Sequence, residues 1–309
     1  LSPSSAASDV YKRQVLQDPL PLRAAHYLIE SRYTGPRPLP ERRGPRISKG
    51  ECMERNELVL LRLSNQYLLH AGERMRVLCA MNGFQAQFLS NALHAMRLRS
   101  TAYDTAHAAD SLVKSWTLRG TMHIFAEADL PLFLHTGCRY RSRDWTVPSF
   151  WNQRPNWALT PKRQAYFSDL IIDALAQGPM TREALKARCR AAGMTQAEEG
   201  SIFHPWGGGI RELCERGFLC GTVSEEKAFR LCPAFTPMEE QDALLEQTRR
   251  YFTNYGPASV RDAAYYFGSS QAEIEKRLAR LPVEAAKYEG QQLFSLDSCL
   301  LYTSPSPRD

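Results

Sequence analysis

A series of helices and hairpins that occurs twice constrains the fold of this 309-residue chain most strongly. In block 161–235, a long amphipathic helix ends at a Gly-Pro pair, and Thr181 begins a short helix. A third helix follows, and residues 218–231 then read strand, charged turn, strand. Block 236–296 has the same order, with its own Gly-Pro pair and Ser259 as the cap. Three helices and a hairpin are typical of a winged helix, so we predict two in tandem. Two unrelated helical domains with terminal hairpins would give the same pattern.

The segment before these blocks shows a similar order of helices followed by a hairpin. Apolar residues at helical spacing predict three helices between 54 and 100, and Trp116–Phe125 has β-prone residues around a central glycine, as a hairpin would. The predicted fold class is mainly α with small β-hairpins (α+β), in three tandem winged-helix domains. The predicted organisation is a leader at 1–52, winged helix 1 at 53–135, a basic and aromatic linker at 136–160, winged helix 2 at 161–235, winged helix 3 at 236–296 and a tail at 297–309.

Both ends of the chain are expected to be foreign to the folded protein. Residues 1–14 and 297–309 resemble translated library-adapter sequence, and neither segment has helical or strand periodicity. Residues 15–52 are rich in Pro and Arg, and patterned sequence begins directly after Met53. We therefore expect Met53 to be the native start, and the native chain to have been cut near Leu296.

Composition bounds the compartment and the partner. The net charge is +6, but the leader holds nine Lys and Arg against five Asp and Glu, so the remaining body is only weakly basic. The sequence has no apolar run of membrane-spanning length and no signal peptide. Its eight cysteines include no CxxC pair, which fits reduced thiols. These features predict a cytoplasmic protein without a membrane partner.

Basic and aromatic residues alternate between the first two blocks. Six basic residues and five aromatic residues lie between Arg139 and Arg163, against one acidic residue. Arginines bind phosphates and aromatic rings stack on exposed bases, so this mixture indicates nucleic-acid binding. A linker whose aromatic side chains fill domain interfaces is equally compatible. The candidate DNA-binding residues of this region are Arg139, Arg141, Arg143, Trp151, Lys162 and Arg163.

The common catalytic and cofactor motifs are absent from the sequence. It has no Walker A, GxGxxG, HExxH or GxSxG motif, and no cluster of acidic residues has metal-ligand spacing. We therefore predict neither a cofactor nor a metal. The loop His204-Pro205-Trp206 followed by three glycines is expected to be a flexible connection into the next helix.

Two segments resemble a known family. The first block resembles the first winged helix of the glycosylases that unhook DNA crosslinks, the AlkZ/YcaQ family. The similarity lies in GFQAQFLSNALHAMRLRS and the downstream LVKSWTLRGTMHIF. The second winged helix of that family resembles the segment HPWGGGIRELCERGFL, and the third resembles the last block. On its own, Gln85-Ala86-Gln87 would be read as two polar residues at helix ends.

The resemblance gives these residues roles. In the family a Gln-x-Gln or Gln-x-Asp motif is catalytic, which implies catalysis by Gln85 and Gln87 here. Arg119, Thr121 and His123 would then line the DNA groove, with a core or hairpin-pairing role equally open. The family continues into a small β-barrel after the third winged helix, and we expect the adapter-like tail to replace it.

The resulting hypothesis is a DNA glycosylase that removes alkylated bases from duplex DNA and needs no protein partner. A purine alkylated at N7 is already cationic, so it leaves without protonation, and amide oxygens suffice to position water and face the cationic sugar. A non-catalytic winged-helix transcriptional regulator is the main alternative, because fold alone does not give function. A nucleoid-associated structural module is a third.

Overall fold

The computed structural model describes residues 52–105, 107, 109–135, 141–224 and 226–296. This part of the chain has a mixed α+β architecture, with eleven α-helices and two antiparallel sheets. The helices are α1 (Arg55–Asn65), α2 (Arg74–Ala80), α3 (Leu89–Arg99), α4 (Leu130–Phe133), α5 (Pro161–Leu175), α6 (Arg182–Ala191), α7 (Gln196–Ile202), α8 (Gly208–Glu215), α9 (Glu240–Asn254), α10 (Val260–Phe267) and α11 (Gln271–Leu278). The strands are β1 (Phe84–Gln85), β2 (Leu112–Trp116), β3 (Met122–Ala126), β4 (Met180–Thr181), β5 (Leu219–Gly221), β6 (Ala228–Leu231), β7 (Glu284–Tyr288) and β8 (Gln291–Ser295).

Local capping chemistry fixes where several of these helices begin. The side chain of Thr160 accepts a hydrogen bond from the backbone of Arg163 at the start of α5, and Thr181 does the same for Ala184 in α6. Ser259 opens α10 with a capping box. The caps at Thr181 and Ser259 lie where the sequence analysis predicts them.

The hairpins of the first two blocks form one continuous sheet. Its strand order is β1-β3-β2-β5-β6-β4, and every pairing is antiparallel. The two hairpins join where Lys114 of β2 lies opposite Gly221 of β5. The sequence pattern did not predict this junction, because nothing local in either hairpin identifies its neighbour. The division of the chain into domains stays a prediction.

Each block buries its own core, and a further cluster lies where the blocks meet. In β3, Ile124 packs with α2 and α3, whereas Phe125 faces the opposite side of the sheet and packs with residues of α4 and α9. At the far end, Leu58 of α1 packs on Leu293 of the β7–β8 hairpin. Cys52, which the sequence assigns to the unstructured leader, forms a β-bridge with Lys287.

The glycine triplet is not a flexible connection, so that expectation was wrong. Gly207 (φ 140°) is the N-cap of α8, and Gly208 (φ 59°) has a backbone conformation that favours glycine. A Cβ on Gly208 would collide with the carbonyl oxygen of Ser201. Helix α8 therefore packs directly on α7, a helix that the sequence analysis missed although a Thr195 capping box begins it.

The sequence predicts no membrane-spanning segment anywhere in the chain. Within the described ranges, no helix is long and apolar enough to cross a membrane. Among those same residues, no group of His, Cys, Asp and Glu is arranged to hold a metal ion.

We expect Gly208→Ala to destabilise the protein by about 2–4 kcal/mol, because the new methyl group meets Ser201 and the backbone conformation becomes strained. Gly200→Ala is the matched control: it lies inside α7, and its Cβ would meet no atom within 4 Å. That change should stabilise the protein by about 0.5–1 kcal/mol. Urea unfolding followed by circular dichroism measures both. Equal midpoints for the two variants would contradict the tight packing of α8 on α7.

Candidate active site

Gln85 lies on an edge strand of the large sheet, and Gln87 lies in the bend between that strand and α3. Gln85 is in β1, opposite His123 of β3, and the backbone N–H of Ala86 donates to the carbonyl of Met122 at 2.7 Å. Ala86 is fully buried, and the alternation along the chain leaves Gln85 and Gln87 exposed on either side of it. Strand pairing therefore holds Gln85 and Ala86, and Gln87 directly precedes Phe88, the N-cap of α3.

The two amides are linked to each other. Nε2 of Gln85 donates to Oε1 of Gln87 at 3.0 Å. In the described part of the chain, Oε1 of Gln85 and Nε2 of Gln87 make no other hydrogen bond. An amide oxygen has two lone pairs, so Oε1 of Gln87 retains one and Oε1 of Gln85 retains both. The pair thus presents oriented acceptors to solvent without any ionisable group.

A tight turn places the motif directly after α2. Asn82 and Gly83 both have positive φ, at 55° and 76°. A Cβ on Gly83 would approach the carbonyl oxygen of Ile124 to 2.5 Å, so only glycine lets the chain pass that close to β3. The Nδ2 group of the buried Asn82 donates to the carbonyl of Gln247 at 3.0 Å.

The end of α9 holds the last turn of α2. Three successive carbonyl oxygens, those of Cys79, Ala80 and Met81, each accept a hydrogen bond from this region. The donors are Nη1 of Arg250 at 2.9 Å, Nδ2 of Asn254 at 2.9 Å and the hydroxyl of Tyr255 at 3.1 Å. The last carbonyls of a helix have no partner within it, and these side chains supply one. We call this contact the α9 clamp.

The turn between β2 and β3, Leu118–Gly120, receives contacts from the other two blocks. The guanidinium of Arg119 donates to the carbonyl of Tyr266 in α10 and lies 5.2 Å from the centre of its ring. The guanidinium of Arg211 in α8 lies against Gly120, in the space where a side chain would be. Thr121 follows, half-buried, and its hydroxyl donates to the carbonyl of Leu118 at 3.1 Å.

His123 has the core role that was one of its two predicted alternatives. It is only 5% exposed, and Nδ1 lies 3.1 Å from the carbonyl oxygen of Thr121. Burial lowers the pKa of His123 to about 4, so the ring is neutral at pH 7. With so little of its surface accessible, it cannot line a DNA groove in this structure.

The predicted DNA-binding residues of the linker region do not form one surface. Arg139 lies outside the described residues. Trp151 is 3% exposed and is covered by the guanidinium of Arg154, 5.0 Å from its ring. Arg163 pairs with Glu198 at 2.6 Å, next to the cap of α7. The buried Trp151 and the ion-paired Arg163 fit the alternative role in a linker whose side chains fill domain interfaces.

Three other basic residues of this region reach solvent to different degrees. Arg143 pairs with Asp169 at 2.5 Å, and Arg141 lies over the Phe218 ring at 5.6 Å. Lys162 is exposed and has no ion pair among the described residues. Arg143 is thus ion-paired, whereas the exposed Arg141 and Lys162 have no carboxylate partner among the described residues.

Sequence reasoning missed the residues of the α9 clamp. Arg250, Asn254 and Tyr255 are more than 160 positions from the turn that they hold. No motif marks them, because any long helix contains such polar side chains. Their role becomes visible only in the tertiary contacts.

The family model "DNA glycosylase AlkZ-like" matches residues 78–309, about three quarters of the sequence. An "Interstrand DNA cross-link repair glycosylase" of Streptomyces sahachiroi is 29% identical over 195 residues, which cover 58% of this chain and 50% of the relative. The chain thus spans about half the length of that curated relative. The solved structure of the Streptomyces sahachiroi DNA glycosylase AlkZ has a similar fold, with a TM-score of 0.61, 21% identity and coverage of 80% of this chain and 70% of that one.

We expect the buried His123 to make the protein sensitive to mild acid. Its folded pKa of about 4 lies below the unfolded value of 6.5, so the unfolded chain takes up the proton first as the pH falls. The stabilisation is present above pH 6.5 and is lost as the pH falls towards 4. Between about pH 7 and 5, the free energy of unfolding should fall by about 1–2 kcal/mol more in the wild type than in His123→Gln.

Chemical denaturation at a series of pH values measures this difference. His135 and His204 also have lowered pKa values through burial, but both are present in the two proteins, so their contributions cancel. Parallel curves for the wild type and His123→Gln would show that His123 is not held neutral.

Proposed function

The chain belongs to the AlkZ-like DNA glycosylase family, and on this premise we propose that it hydrolyses the N-glycosidic bond of N7-alkylated purines, including crosslinked ones, in duplex DNA. The observation that carries the proposal is the pair of exposed, mutually hydrogen-bonded amides of Gln85 and Gln87, at the end of β1 and just after it. Because the chain spans about half of its curated relative, crosslink unhooking needs its own test.

The reaction proposed at this pair needs no acid. The bond from C1′ of the sugar to N9 of the base breaks, and its electrons neutralise the cationic purine, which leaves as a neutral base. The sugar becomes an oxocarbenium-like cation. Water adds to C1′ and releases its proton to solvent, which balances atoms and charge.

The two amides match this transition state electrostatically. The carbonyl oxygens of Gln85 and Gln87 carry the negative ends of the amide dipoles, and both retain lone pairs in the structure. One oxygen accepts from the attacking water while the other faces the developing cation. Their mutual hydrogen bond and the α9 clamp restrict their motion before substrate arrives, which reduces the reorganisation that the reaction requires.

We further propose that the three blocks are winged helices at 53–135, 161–235 and 236–296, and that the chain binds duplex DNA carrying alkylated bases. The contacts that support this organisation are those on the β2–β3 turn, where Arg119 meets α10 and Arg211 meets Gly120. Arg119 and Thr121 lie closest in sequence to the motif. Of the predicted DNA-binding residues, Arg119, Arg141, Arg143 and Lys162 are exposed and Thr121 is half-buried, so each of them is accessible for DNA contact.

We expect Gln85→Ala and Gln87→Ala each to slow release of N7-methylguanine from a labelled duplex by about 100-fold, by analogy with the loss of one oriented dipole in other active sites. Affinity for the duplex should change little, because neither amide is charged. Gln292→Ala removes an equally polar, exposed side chain from β8 and should leave both quantities unchanged.

Single-turnover excision and fluorescence anisotropy measure the two effects. If affinity and rate fall together in the motif variants, the glutamines are DNA contacts and the catalytic role is wrong. If the wild type binds DNA but releases no base, a DNA-binding regulator becomes the better description.

Excision of N7-methylguanine should depend weakly on pH between about pH 6 and 8, changing less than about threefold. The motif contains no titratable group, and the pKa of the neighbouring His123 lies near 4, below this range. A single-turnover pH profile with the wild type and His123→Gln tests this. A bell-shaped profile with two pKa values inside the range would require a general acid and base and would contradict the amide mechanism.

A further inference from the structure

The most exposed tryptophan of the chain lies on a rigid turn next to the candidate site. Trp206 is 72% exposed, whereas Trp145 and Trp151 are buried, and Trp116 and Trp157 are half-buried. An indole of this size costs free energy in water, and aromatic side chains exposed on a folded surface mark interaction sites more often than scattered aliphatic ones do.

The turn that carries Trp206 is fixed from several sides. The backbone N–H of Gly207 donates to the carbonyl of His204 at 2.9 Å, which closes a β-turn with Pro205 and Trp206 at its centre. The N–H of Trp206 donates to Nδ1 of His204 at 3.2 Å, and Arg182 donates to the same His204 carbonyl at 2.6 Å. Proline at the second position of the turn fixes its φ. The indole is therefore presented by an ordered backbone.

Positive charge surrounds this turn. Arg154 and Arg211 both lie over the face of Trp151, at 5.0 and 5.5 Å, and Arg182 is bonded to the turn itself. Only Arg211 of these three has a side-chain carboxylate partner among the described residues, Glu215 at 2.7 Å. A cavity of about 210 Å³ adjoins them, with Trp151, Arg154, Trp157 and His204 in its walls. Exposed aromatic surface with net positive charge is complementary to nucleic acid.

One side chain connects the turn to the hairpin beside the glutamines. The aliphatic part of Arg211 lies against Gly207, and its guanidinium lies against Gly120 of the β2–β3 turn. The strand that follows Gly120 pairs with the motif, since the carbonyl of Met122 accepts from Ala86. Through Arg211 and the β2–β3 hairpin, the turn that carries Trp206 is thus linked by direct contacts to the strand that pairs with the motif.

We infer that Trp206 is a DNA-contacting residue that stacks on a base or sugar unstacked near the lesion, on a cationic surface formed by Arg154, Arg182 and Arg211. The inference rests on the proposed function for the identity of the nucleic acid. It assigns Trp206 to binding and not to the chemical step. The glycines after it serve to bring α8 close to the turn.

The test uses the full chain and a short labelled duplex that contains one tetrahydrofuran abasic analogue. Trp206→Ala should weaken binding about 10-fold, whereas Trp206→Phe should retain most of the affinity, as expected for stacking. The dependence of affinity on salt should keep its slope, because no charge is removed. Leu60→Ala, which removes an exposed apolar side chain from α1, is the control and should leave affinity unchanged.

Acrylamide quenching gives a second measurement that needs no destabilising variant. The difference in fluorescence quenching between the wild type and Trp206→Phe measures how accessible Trp206 is to acrylamide. Binding of DNA should reduce this difference. If Trp206→Ala binds like Leu60→Ala and DNA leaves the quenching unchanged, the inference is wrong.

Base release by the same proteins separates the inference from the proposed function. If the wild type releases the base and Trp206→Ala binds DNA as tightly as the wild type, only the inference about Trp206 is overturned. Absence of excision, together with weakened binding by Trp206→Ala, would overturn the glycosylase proposal and leave the DNA contact supported.

Discussion

The α9 clamp is the interaction on which the rest of the site depends. Helix α2 ends with carbonyl groups that have no partner within the helix, and burying them unpaired would cost about 1–3 kcal/mol each. Asn254 and Tyr255 satisfy the carbonyls of Ala80 and Met81, and Arg250 is a second donor to that of Cys79, which also accepts from the N–H of Asn82 at 3.1 Å. Arg250 is itself held by Asp129 at 2.8 Å and by Glu246 at 2.8 Å. Arg250, which holds the end of α2 just before the motif, is thus itself held by two carboxylates.

The position of the glutamines consequently depends on all three blocks. The first supplies β1 and the β2–β3 hairpin, and the second supplies Arg211, which fills the space beside Gly120. The third supplies the clamp and the Tyr266 carbonyl that accepts from Arg119. Since β2 also pairs with β5, a displacement of the second block would be transmitted through the sheet towards β1. The site is a property of the assembled chain.

The sequence was sufficient for features whose causes are local. The caps at Thr160, Thr181 and Ser259 depend on a side chain and a backbone group three positions apart, and the hairpins depend on alternation and on a turn glycine or a charged turn. The missed helix α7 had such a signal in its Thr195–Glu198 capping box. The junction of the hairpins and the α9 clamp could not be predicted, because they join residues more than 100 positions apart. The same holds for burial: a linker tryptophan such as Trp151 and a DNA-binding tryptophan have the same sequence signature.

The openness of the glutamine pair affects which bases such a site can discriminate. Both amides are exposed, Gln85 on the edge strand and Gln87 in the bend that follows it. In the proposed reaction, an amide cannot protonate a departing base, so an undamaged purine remains a poor leaving group even when it reaches the strand. Selection then occurs through the charge of the leaving group and not through its shape. Under the same proposal, a shallow surface would accommodate adducts of different sizes.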